Sequence, residues 1–341
     1  MTSERNLSNI EYFNRLCARQ RPELGFRGKT RQDWRTWRRA LLSRLRELLG
    51  EFPKPCPLRP QTLEREDLGD VIREKVVFDS ERDMSVPAYV CLPKERRRGE
   101  RLPGIVASHG HGPGKVVPAG VDVSLGGSRG YALALARRGF VTIAPDYRGF
   151  GERADGGEPY GKRDPCNVNF IKGSLLGVNL LTLDLWDAMR AIDYLQRRQE
   201  VDPSRIGAVG SSFGGTMSLY IAALDDRVKC AIVSCYLNTF EQYAIRQANF
   251  CGSQYLPALR KYAELADVCG LIAPKPLLIV AGKQDDGFPF HATMKAYRRL
   301  RRIYAAAGAV HRLELDAFEG GHRFNEDKAF PFFDRWLKAS E

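Results

Sequence analysis

Apolar side chains recur with helical spacing in the first fifty residues. Thr30, followed by Asp33 three positions later, forms a capping-box pattern that marks a helix start. The apolar stripe that follows consists of Trp34, Trp37, Leu41, Leu45 and Leu48. Such a stripe must pack on another surface. Residues 1–60 are therefore predicted to be an N-terminal helical extension packed on the body of the protein, with the proline-rich stretch 52–60 as a linker.

The pattern changes at Val71, where short runs rich in β-branched residues begin. VIREKVVF and VPAYVCLP flank a polar turn at 79–83 and predict an antiparallel hairpin. Apolar runs typical of buried strands then alternate with helical patterns; the runs are GIVASH (104–109), FVTIAPD (140–146), RIGAVG (205–210), CAIVSCY (230–236), PLLIVAG (276–282) and HRLELDAF (311–318). This alternation predicts an α/β fold, with a mostly parallel, doubly covered sheet of about eight strands and ligands bound at their carboxyl ends.

One connection between predicted strands is too long for a simple crossover. Residues 237–270 contain helical, aromatic and polar positions. We expect them to form a small helical cap over the site. The chain is thus divided into the extension, 1–60, and a catalytic domain, 61–341, that carries the cap insertion.

Composition narrows the class of protein. A length of 341 residues with 43% hydrophobic residues is sufficient for a substantial core and excludes a small disulfide-stapled scaffold. The first residues lack the pattern of a secretory signal, no run of 18 apolar residues occurs, and the eight cysteines show no CxxC spacing. We therefore expect a cytoplasmic protein with reduced thiols, no membrane partner, and an oligomeric state that the sequence leaves open.

The net charge of +12 raises the question of nucleic-acid binding. Residues 1–50 carry 12 Lys and Arg against 5 Asp and Glu, so most of the excess lies away from the catalytic motifs described below. Arginines interleaved along a helix usually form a solvated face, and no nucleic-acid-binding motif accompanies them. We expect no nucleic-acid partner.

A G-x-S-x-G pentapeptide joins the predicted strand RIGAVG to a helical pattern. A serine hydroxyl is a weak nucleophile unless it is held exposed beside a base, and a sharp strand-to-helix turn with glycine at 210 and 214 provides that exposure. Ser212 is therefore the predicted nucleophile. Ser211 lacks glycines two residues away on both sides.

The base and the acid should follow later strands, because the chain order in folds of this kind is serine, acid, histidine. Of five histidines, His322 lies in a glycine-rich loop directly after the last predicted strand. Asp285 follows the preceding strand and is preferred over Asp286, one of which could instead cap the next helix.

An oxyanion needs two N–H donors. The amide of Phe213, at a helix start, and the amide of His111, in the loop after GIVASH, are the predicted pair. Although three histidines (109, 111 and 322) follow strands, no cysteine or carboxylate completes a zinc-ligand spacing with them, so we expect no metal and no cofactor. The charged, glycine-rich segment 146–152 is predicted to tie loops together and to take no part in catalysis.

The motifs HGHGPG, DYRGFG, GSSFGG, AGKQDDGFP and FEGGH, in this order, resemble those of the α/β-hydrolase superfamily from about residue 70 onward. Within it the chain is similar to acetyl xylan esterases, cephalosporin C deacetylases and dienelactone-hydrolase-like esterases. The resemblance implies a triad of Ser212, Asp285 and His322 and an oxyanion hole at His111 and Phe213. Where those esterases typically carry tyrosine and glutamine, this chain has His111 and Phe213.

These observations predict a serine carboxylic ester hydrolase that forms an acyl-enzyme on Ser212 and acts on a small-molecule short-acyl or acetyl ester, with a carbohydrate as one candidate carrier. Two alternatives stay open: a serine peptidase of the prolyl-oligopeptidase type, and a non-catalytic ligand-binding protein on the same fold. The cap is expected to line the substrate pocket. The foremost aromatic candidates for this lining are Tyr236, Phe240 and Phe288, and further candidates are Phe213, Tyr243, Phe250 and Tyr255.

Overall fold

A nine-stranded sheet runs through the computed structural model, which describes residues 5–97, 99–122, 130–156, 160–249 and 251–338. Its strands in chain order are β1 (Gln61–Asp67), β2 (Val71–Glu81), β3 (Met84–Pro93), β4 (Leu102–Ser108), β5 (Val141–Pro145), β6 (Val201–Ser211), β7 (Val228–Ser234), β8 (Leu277–Gly282) and β9 (Leu313–Phe318). Their spatial order is β1-β2-β3-β5-β4-β6-β7-β8-β9. From β5 to β9 every neighbouring pair is parallel, whereas β1, β2, β3 and β5 pair antiparallel.

The predicted α/β sheet and its hairpin are confirmed, and the strand that the sequence analysis missed is β1. Every residue of β1 is exposed, and within the described residues the strand pairs with β2 alone. An edge strand with polar side chains on both faces lacks the apolar alternation by which strands are recognised.

Helices cover both faces of the sheet. In chain order they are α1 (Asn9–Arg19), α2 (Arg31–Leu49), α3 (Tyr131–Arg137), α4 (Pro165–Leu175), α5 (Leu180–Arg197), α6 (Phe213–Leu224), α7 (Leu259–Tyr262), α8 (Leu265–Gly270), α9 (Phe290–Ala306) and α10 (Ala329–Phe333). The larger core lies between the sheet and α5, α6, α8 and α9. The smaller core, on the other face, is formed with α3 and α10. Neighbouring residues of one strand enter different cores, as Ile105 and Val106 do, which explains the continuous apolar runs.

The N-terminal helix α2 begins with the predicted capping box, in which Thr30 and Asp33 exchange hydrogen bonds. Its stripe is buried at Trp34, Leu41, Leu45 and Leu49 and joins the larger core. Just before α2, the amide of Phe26 donates to Asp267 Oδ1 at 3.1 Å, which ties this region to α8.

The insertion between β7 and β8 is helical. It contains a π-helical segment at Phe240–Arg246, a 3-10 turn at Gly252–Gln254, and then α7 and α8. A second insertion, which the sequence analysis did not single out, lies between β5 and α5 and contains α4.

Among the described residues no single helix is long and apolar enough to span a membrane. The pair α4 and α5 together reaches the required length and composition, but the two helices are bent by 106° relative to each other.

The register of the parallel strands brings four loops to one edge of the sheet. Ser108 at the end of β4 lies opposite Gly210, Ser211 at the end of β6 lies opposite Ser234, and Gly282 at the end of β8 lies opposite Phe318. The loops that follow β4, β6, β8 and β9 carry His111, Ser212, Asp285 and His322, respectively.

Candidate active site

Ser212 occupies the sharp turn between β6 and α6. Its backbone has φ 59° and ψ −120°, a conformation that residues with a Cβ rarely adopt. The turn is held because the Ser212 amide donates to Ser234 O at 3.0 Å and the Ser212 carbonyl accepts from Thr216 N at 3.2 Å. The surroundings thus hold the serine in a strained position at the end of the strand, half-buried and facing a cavity.

The glycines around Ser212 are required by close packing. A Cβ at Gly210 would lie 2.2 Å from Gly214 O, and a Cβ at Gly214 would lie 2.0 Å from Ser108 O. Such distances cannot be relieved by a side-chain rotation, since both contacts are with backbone. The pentapeptide therefore allows α6 to begin directly against β4 and β6.

Asp285 and His322 form a direct pair. His322 Nδ1 donates to Asp285 Oδ2 at 2.8 Å, while Asp285 Oδ1 accepts the amides of Gly287 and Phe288 at 2.9 Å each. The Asp285 side chain is 2% exposed and that of His322 is 40% exposed. With Nδ1 donating, Nε2 of a neutral His322 carries a lone pair.

The charge on Asp285 is stabilised despite its burial. Burial by itself raises the pKa of this carboxyl, but the hydrogen bond and the charge of His322, together with the two backbone amides, lower it below its usual value overall. Asp285 is therefore ionised at neutral pH and can orient and stabilise a His322 cation.

The glycine-rich loop after β4 reaches Ser212. A Cβ at Gly110 would lie 3.5 Å from the Ser212 Cβ, so the next residue, His111, stands beside the serine. The amides of His111 and Phe213 donate to no other described residue. Phe213 N–H is also the first amide of α6, where the helix dipole favours negative charge.

An open cavity of about 470 Å³ joins these groups. Its walls are formed by His111, Asp164, Asn167, Ser212, Ala248, Asn249, Cys251, Gln254, Gly287, Phe288 and His322. The two insertions supply much of this wall, since Asp164 and Asn167 come from the α4 region. The segment between β7 and β8 contributes Ala248, Asn249, Cys251 and Gln254. These polar residues could not be recognised from the sequence, because the segments that carry them contain no catalytic or binding motif.

Of the proposed aromatic pocket residues, Phe288 alone among the described ones lines this cavity, with its ring stacked on His322 at 5.6 Å. Tyr236 is 1% exposed and packs edge-on against Tyr243 and Phe288, so it supports the wall from behind. Phe240 packs against the core and faces a separate groove beside α1. The remaining candidates, Phe213, Tyr243 and Tyr255, also lie off the cavity wall, and Phe250 lies outside the described residues.

The segment 146–152 ties loops together, as the sequence analysis expected. Asp146 accepts from Lys115 Nζ at 2.6 Å and from the amide of Lys115 at 2.6 Å, with both side chains buried. Arg148 donates from Nε to Asp187 Oδ2 at 3.0 Å. Nearby, burial lowers the pKa of His109 to about 4, so this histidine is neutral; its Nε2 accepts from Tyr147 N at 3.1 Å.

Two groups of described residues have metal-ligand chemistry near the cavity. One consists of Cys235, Asp285 and His322, whose atoms are already engaged, since Asp285 accepts from His322 and Cys235 Sγ donates to Arg323 O at 3.2 Å. The other consists of His111, Cys166 and Cys251.

Comparison with known families agrees with this architecture. The family model for acetyl xylan esterase (AXE1) matches residues 61–249, which is more than half of the chain. The chain belongs to the acetyl xylan esterase (AXE1) family. It is therefore a serine carboxylic ester hydrolase with the α/β-hydrolase fold. The model of the prolyl oligopeptidase family (Peptidase_S9) matches residues 179–331, the part that contains β6 to β9.

Individual relatives extend the match over most of the chain. The putative hydrolase YtaP of Bacillus subtilis (strain 168) is 29% identical over 303 residues, covering 85% of this chain and 96% of that protein. A putative acetyl xylan esterase from Bacteroides fragilis NCTC 9343 superposes with a TM-score of 0.76 at 19% identity, covering 93% of this chain and 84% of that one. An acetyl xylan esterase from Paenibacillus sp. R4 superposes with a TM-score of 0.61 at 21% identity, covering 98% of this chain and 100% of that one. A glucuronoyl esterase from Solibacter usitatus superposes with a TM-score of 0.65 at 16% identity, covering 93% of this chain and 98% of that one.

Proposed function

We propose that this AXE1-family esterase hydrolyses short-acyl esters, acetyl esters of a polyhydroxylated carrier above all, through an acyl-enzyme on Ser212. The observation that carries the proposal is the hydrogen bond of 2.8 Å between Asp285 and His322, because the His322 imidazole lines the same cavity as Ser212. The roles of nucleophile, base and acid in acyl transfer are therefore assigned to Ser212, His322 and Asp285, which follow three different strands.

In the proposed mechanism Ser212 Oγ attacks the ester carbonyl carbon and passes its proton to His322 Nε2. The carbonyl oxygen becomes an oxyanion, which accepts hydrogen bonds from the amides of His111 and Phe213. Collapse of the tetrahedral intermediate breaks the bond to the alcohol oxygen, which takes the proton from His322. Water then attacks the acyl-enzyme by the same route and releases the acid and free Ser212. Asp285 keeps His322 in the required tautomer throughout.

The cavity wall supports a short acyl group and a polar carrier. Apart from Phe288 and Ala248, its lining is mostly polar, so a long alkyl chain finds little apolar surface. Asn167, Asn249 and Gln254 offer amide groups, and Asp164 offers a carboxylate that accepts from the Cys166 amide at 3.0 Å. Amides and a carboxylate bind hydroxyl groups well, and the carboxylate disfavours an anionic substrate.

The experiment is a comparison of p-nitrophenyl esters from acetate to octanoate, an acetylated xylo-oligosaccharide and a peptide p-nitroanilide. It uses the wild type, Ser212→Ala and, as matched control, Ser211→Ala. We expect acetate to give the highest kcat/KM, the acetylated sugar to be deacetylated, Ser211→Ala to stay active and Ser212→Ala to lose activity by a factor of about 10⁴ or more.

Three outcomes would overturn parts of this proposal. Faster turnover of octanoate than acetate would exclude the short-acyl preference. Hydrolysis of the anilide without ester turnover would favour the peptidase alternative. Activity that survives in Ser212→Ala and is lost in Ser211→Ala would identify Ser211 as the nucleophile instead of Ser212.

We also propose that segment 237–270 acts as a cap and that residues 1–60 are an extension of the catalytic domain. The cap proposal is supported by Asn249 and Gln254 on the cavity wall. The extension proposal is supported by the burial of Leu41 and Leu45 in the main core. A truncated chain beginning at residue 61 should therefore expose this core and aggregate, and a stable, active truncation would contradict the assignment.

A cytoplasmic location is proposed on the basis of the thiols. All eight cysteines are free, which fits a reducing compartment. Fractionation of the native host tests this location.

A further inference from the structure

Three side chains with metal-ligand chemistry, from three distant segments, converge beside the cavity. His111 lies in the loop after β4, Cys166 near the start of α4, and Cys251 in the insertion between β7 and β8. Their ligand atoms all lie within 4.8 Å of one another, and His111 Nε2 is 2.8 Å from Cys251 Sγ. The esterase mechanism proposed above uses none of these side chains.

The surroundings hold the three side chains in place. The His111 ring packs edge-on against Phe150 at 5.3 Å and lies 5.5 Å from the Phe213 ring. Cys166 and Cys251 are both buried, and the two segments that carry them are joined because the Gly252 amide donates to Asn167 Oδ1 at 2.8 Å. The cluster is therefore positioned before any ion arrives, which lowers the entropic cost of binding.

We infer that His111, Cys166 and Cys251 form a binding site for a soft divalent metal ion of the Zn²⁺ class. Two thiolates and one imidazole are ligands that such ions prefer, and a Cys₂His set with one open position is an established zinc arrangement. On binding, each thiol loses its proton to solvent, so two thiolates balance the charge of the ion.

The required adjustment is small. Zinc bonds of about 2.0–2.3 Å place tetrahedral ligand atoms roughly 3.5–3.8 Å apart. The His111 and Cys251 atoms must separate by less than about 1 Å from their present distance, which a small rotation of the Cys251 side chain provides. Since His111 and Cys251 both line the cavity, the fourth position of the ion faces the substrate space beside Ser212.

A disulfide between Cys166 and Cys251 is the competing use of the same atoms. The metal is favoured because a third donor, the His111 imidazole, points directly at the Cys251 sulfur, a feature that a disulfide does not need. Both cysteines are also free thiols in the structure.

The test measures binding directly. The full chain, reduced and stripped of metal, is titrated with Zn²⁺ against a chromophoric chelator and separately with Co²⁺, whose thiolate complexes absorb strongly in the near ultraviolet. We expect one ion per chain, a cobalt–thiolate absorption band, and a higher Tm with Zn²⁺. Cys166→Ser, Cys251→Ser and His111→Gln should each bind more than about tenfold more weakly, since loss of even an outer contact to a ligand has an effect of that size.

Two controls keep the result interpretable. Cys56→Ser removes a half-buried thiol outside the cluster and should bind like the wild type. Ser212→Ala lacks the proposed nucleophile but should also bind like the wild type, so failure of the metal site and failure of the esterase mechanism are distinguishable.

The inference is overturned if the stripped wild type binds no ion, if binding survives in both Cys166→Ser and Cys251→Ser, or if peptide mapping without reductant finds these two cysteines linked. Circular dichroism of each metal-free variant verifies that it is folded before its binding is compared.

Discussion

His322 donates from Nδ1 to Asp285 Oδ2 at 2.8 Å, while the other oxygen of Asp285 is held by the amides of Gly287 and Phe288. The backbone amides therefore hold Asp285 through Oδ1, and Asp285 in turn orients the His322 imidazole through Oδ2. An arrangement of this kind selects one tautomer of the histidine, the one with a lone pair on Nε2.

The Asp285→Asn variant should keep its fold and lose most of its activity. An asparagine can still accept the two backbone amides, but its amide group can face His322 and select the wrong tautomer. We expect kcat for p-nitrophenyl acetate to fall by about 10⁴. Asp286→Asn is the matched control, because Asp286 is exposed and its neighbourhood is otherwise the same; its kcat should change by less than about twofold. The reverse pattern would assign the acid to Asp286.

The strained backbone at Ser212 predicts an unusual order of stability among inactive variants. With φ at 59°, any residue with a Cβ is strained there by about 1–3 kcal/mol, whereas glycine is not. Glycine also has a larger unfolded-state entropy, by roughly 0.5–1 kcal/mol. Ser212→Gly should therefore unfold with a free energy about 1 kcal/mol higher than Ser212→Ala, as measured by urea denaturation.

The neighbouring serine provides the control for this comparison. Ser211 ends β6, where glycine has no conformational advantage, so Ser211→Gly should be less stable than Ser211→Ala by roughly 0.5–1 kcal/mol. If glycine is the less stable choice at 212 as well, the turn is not strained in solution.

Local sequence was sufficient to predict the strand ends and the residues that follow them. Ser212, Asp285 and His322 each lie directly after a strand, and parallel strands align their carboxyl ends, so motif order alone placed them at one edge of the sheet. The edge strand β1 was missed because its seven exposed residues carry no apolar alternation.

The walls of the cavity could not be predicted in the same way. Tyr236 and Phe288 are both aromatic residues at or shortly after the end of a predicted strand, so the sequence does not distinguish them. In the structure Tyr236 packs behind the cavity wall and Phe288 lines it, a difference set by the tertiary packing. His111 and Cys251 are 140 positions apart and show no ligand spacing along the chain. Only the tertiary structure brings them together with Cys166.

Lys115 is predicted to be a large contributor to stability. It is 2% exposed and donates to Asp146, which is fully buried, and to Glu152. Lys115→Met would leave Asp146 as a buried charge without its cation, at a cost of about 3–5 kcal/mol in the free energy of unfolding. The exposed pair Lys94 and Asp67 is the control, and Lys94→Met should cost less than about 1 kcal/mol. Equal effects in urea denaturation would contradict this ranking.

Two buried aspartates on α5, three residues apart, are predicted to differ in charge. Asp187 receives Arg148 Nε at 3.0 Å and Arg153 Nη1 at 2.8 Å, whereas Asp184 receives the amide of Arg148 and has an oxygen with no partner among the described residues. Burial, and then the charge of Asp187, raises the pKa of Asp184 to about 8. For Asp187 burial acts in the same upward direction, but the two arginines lower its pKa overall. Asp184 is therefore neutral at pH 7 and Asp187 is charged.

Substitution of each aspartate by asparagine should have different effects on the free energy of unfolding. Asp187→Asn leaves Arg148 and Arg153 without their shared buried partner and should cost about 3–5 kcal/mol. Asp184→Asn replaces a neutral acid by a neutral amide that still accepts from Arg148, so it should not destabilise the protein at pH 7.

The pH dependence of Asp184→Asn gives the sharper test. Between the unfolded pKa of 3.8 and the folded pKa of about 8, the folded wild type binds a proton that the unfolded chain does not. Stability from this group is thus fully present at low pH and is lost as the pH rises through that window, at about 1.4 kcal/mol per unit. The Asp184→Asn variant does not show this loss of stability, because an asparagine side chain does not titrate in this pH range. Urea denaturation of both proteins at pH 5, 6, 7 and 8 should show the wild type falling relative to the variant, with other titrating groups cancelling in the difference. Parallel stability curves would mean that Asp184 is ionised in the folded protein, and the cost of that buried charge would then have to be offset by Arg148 and Arg153.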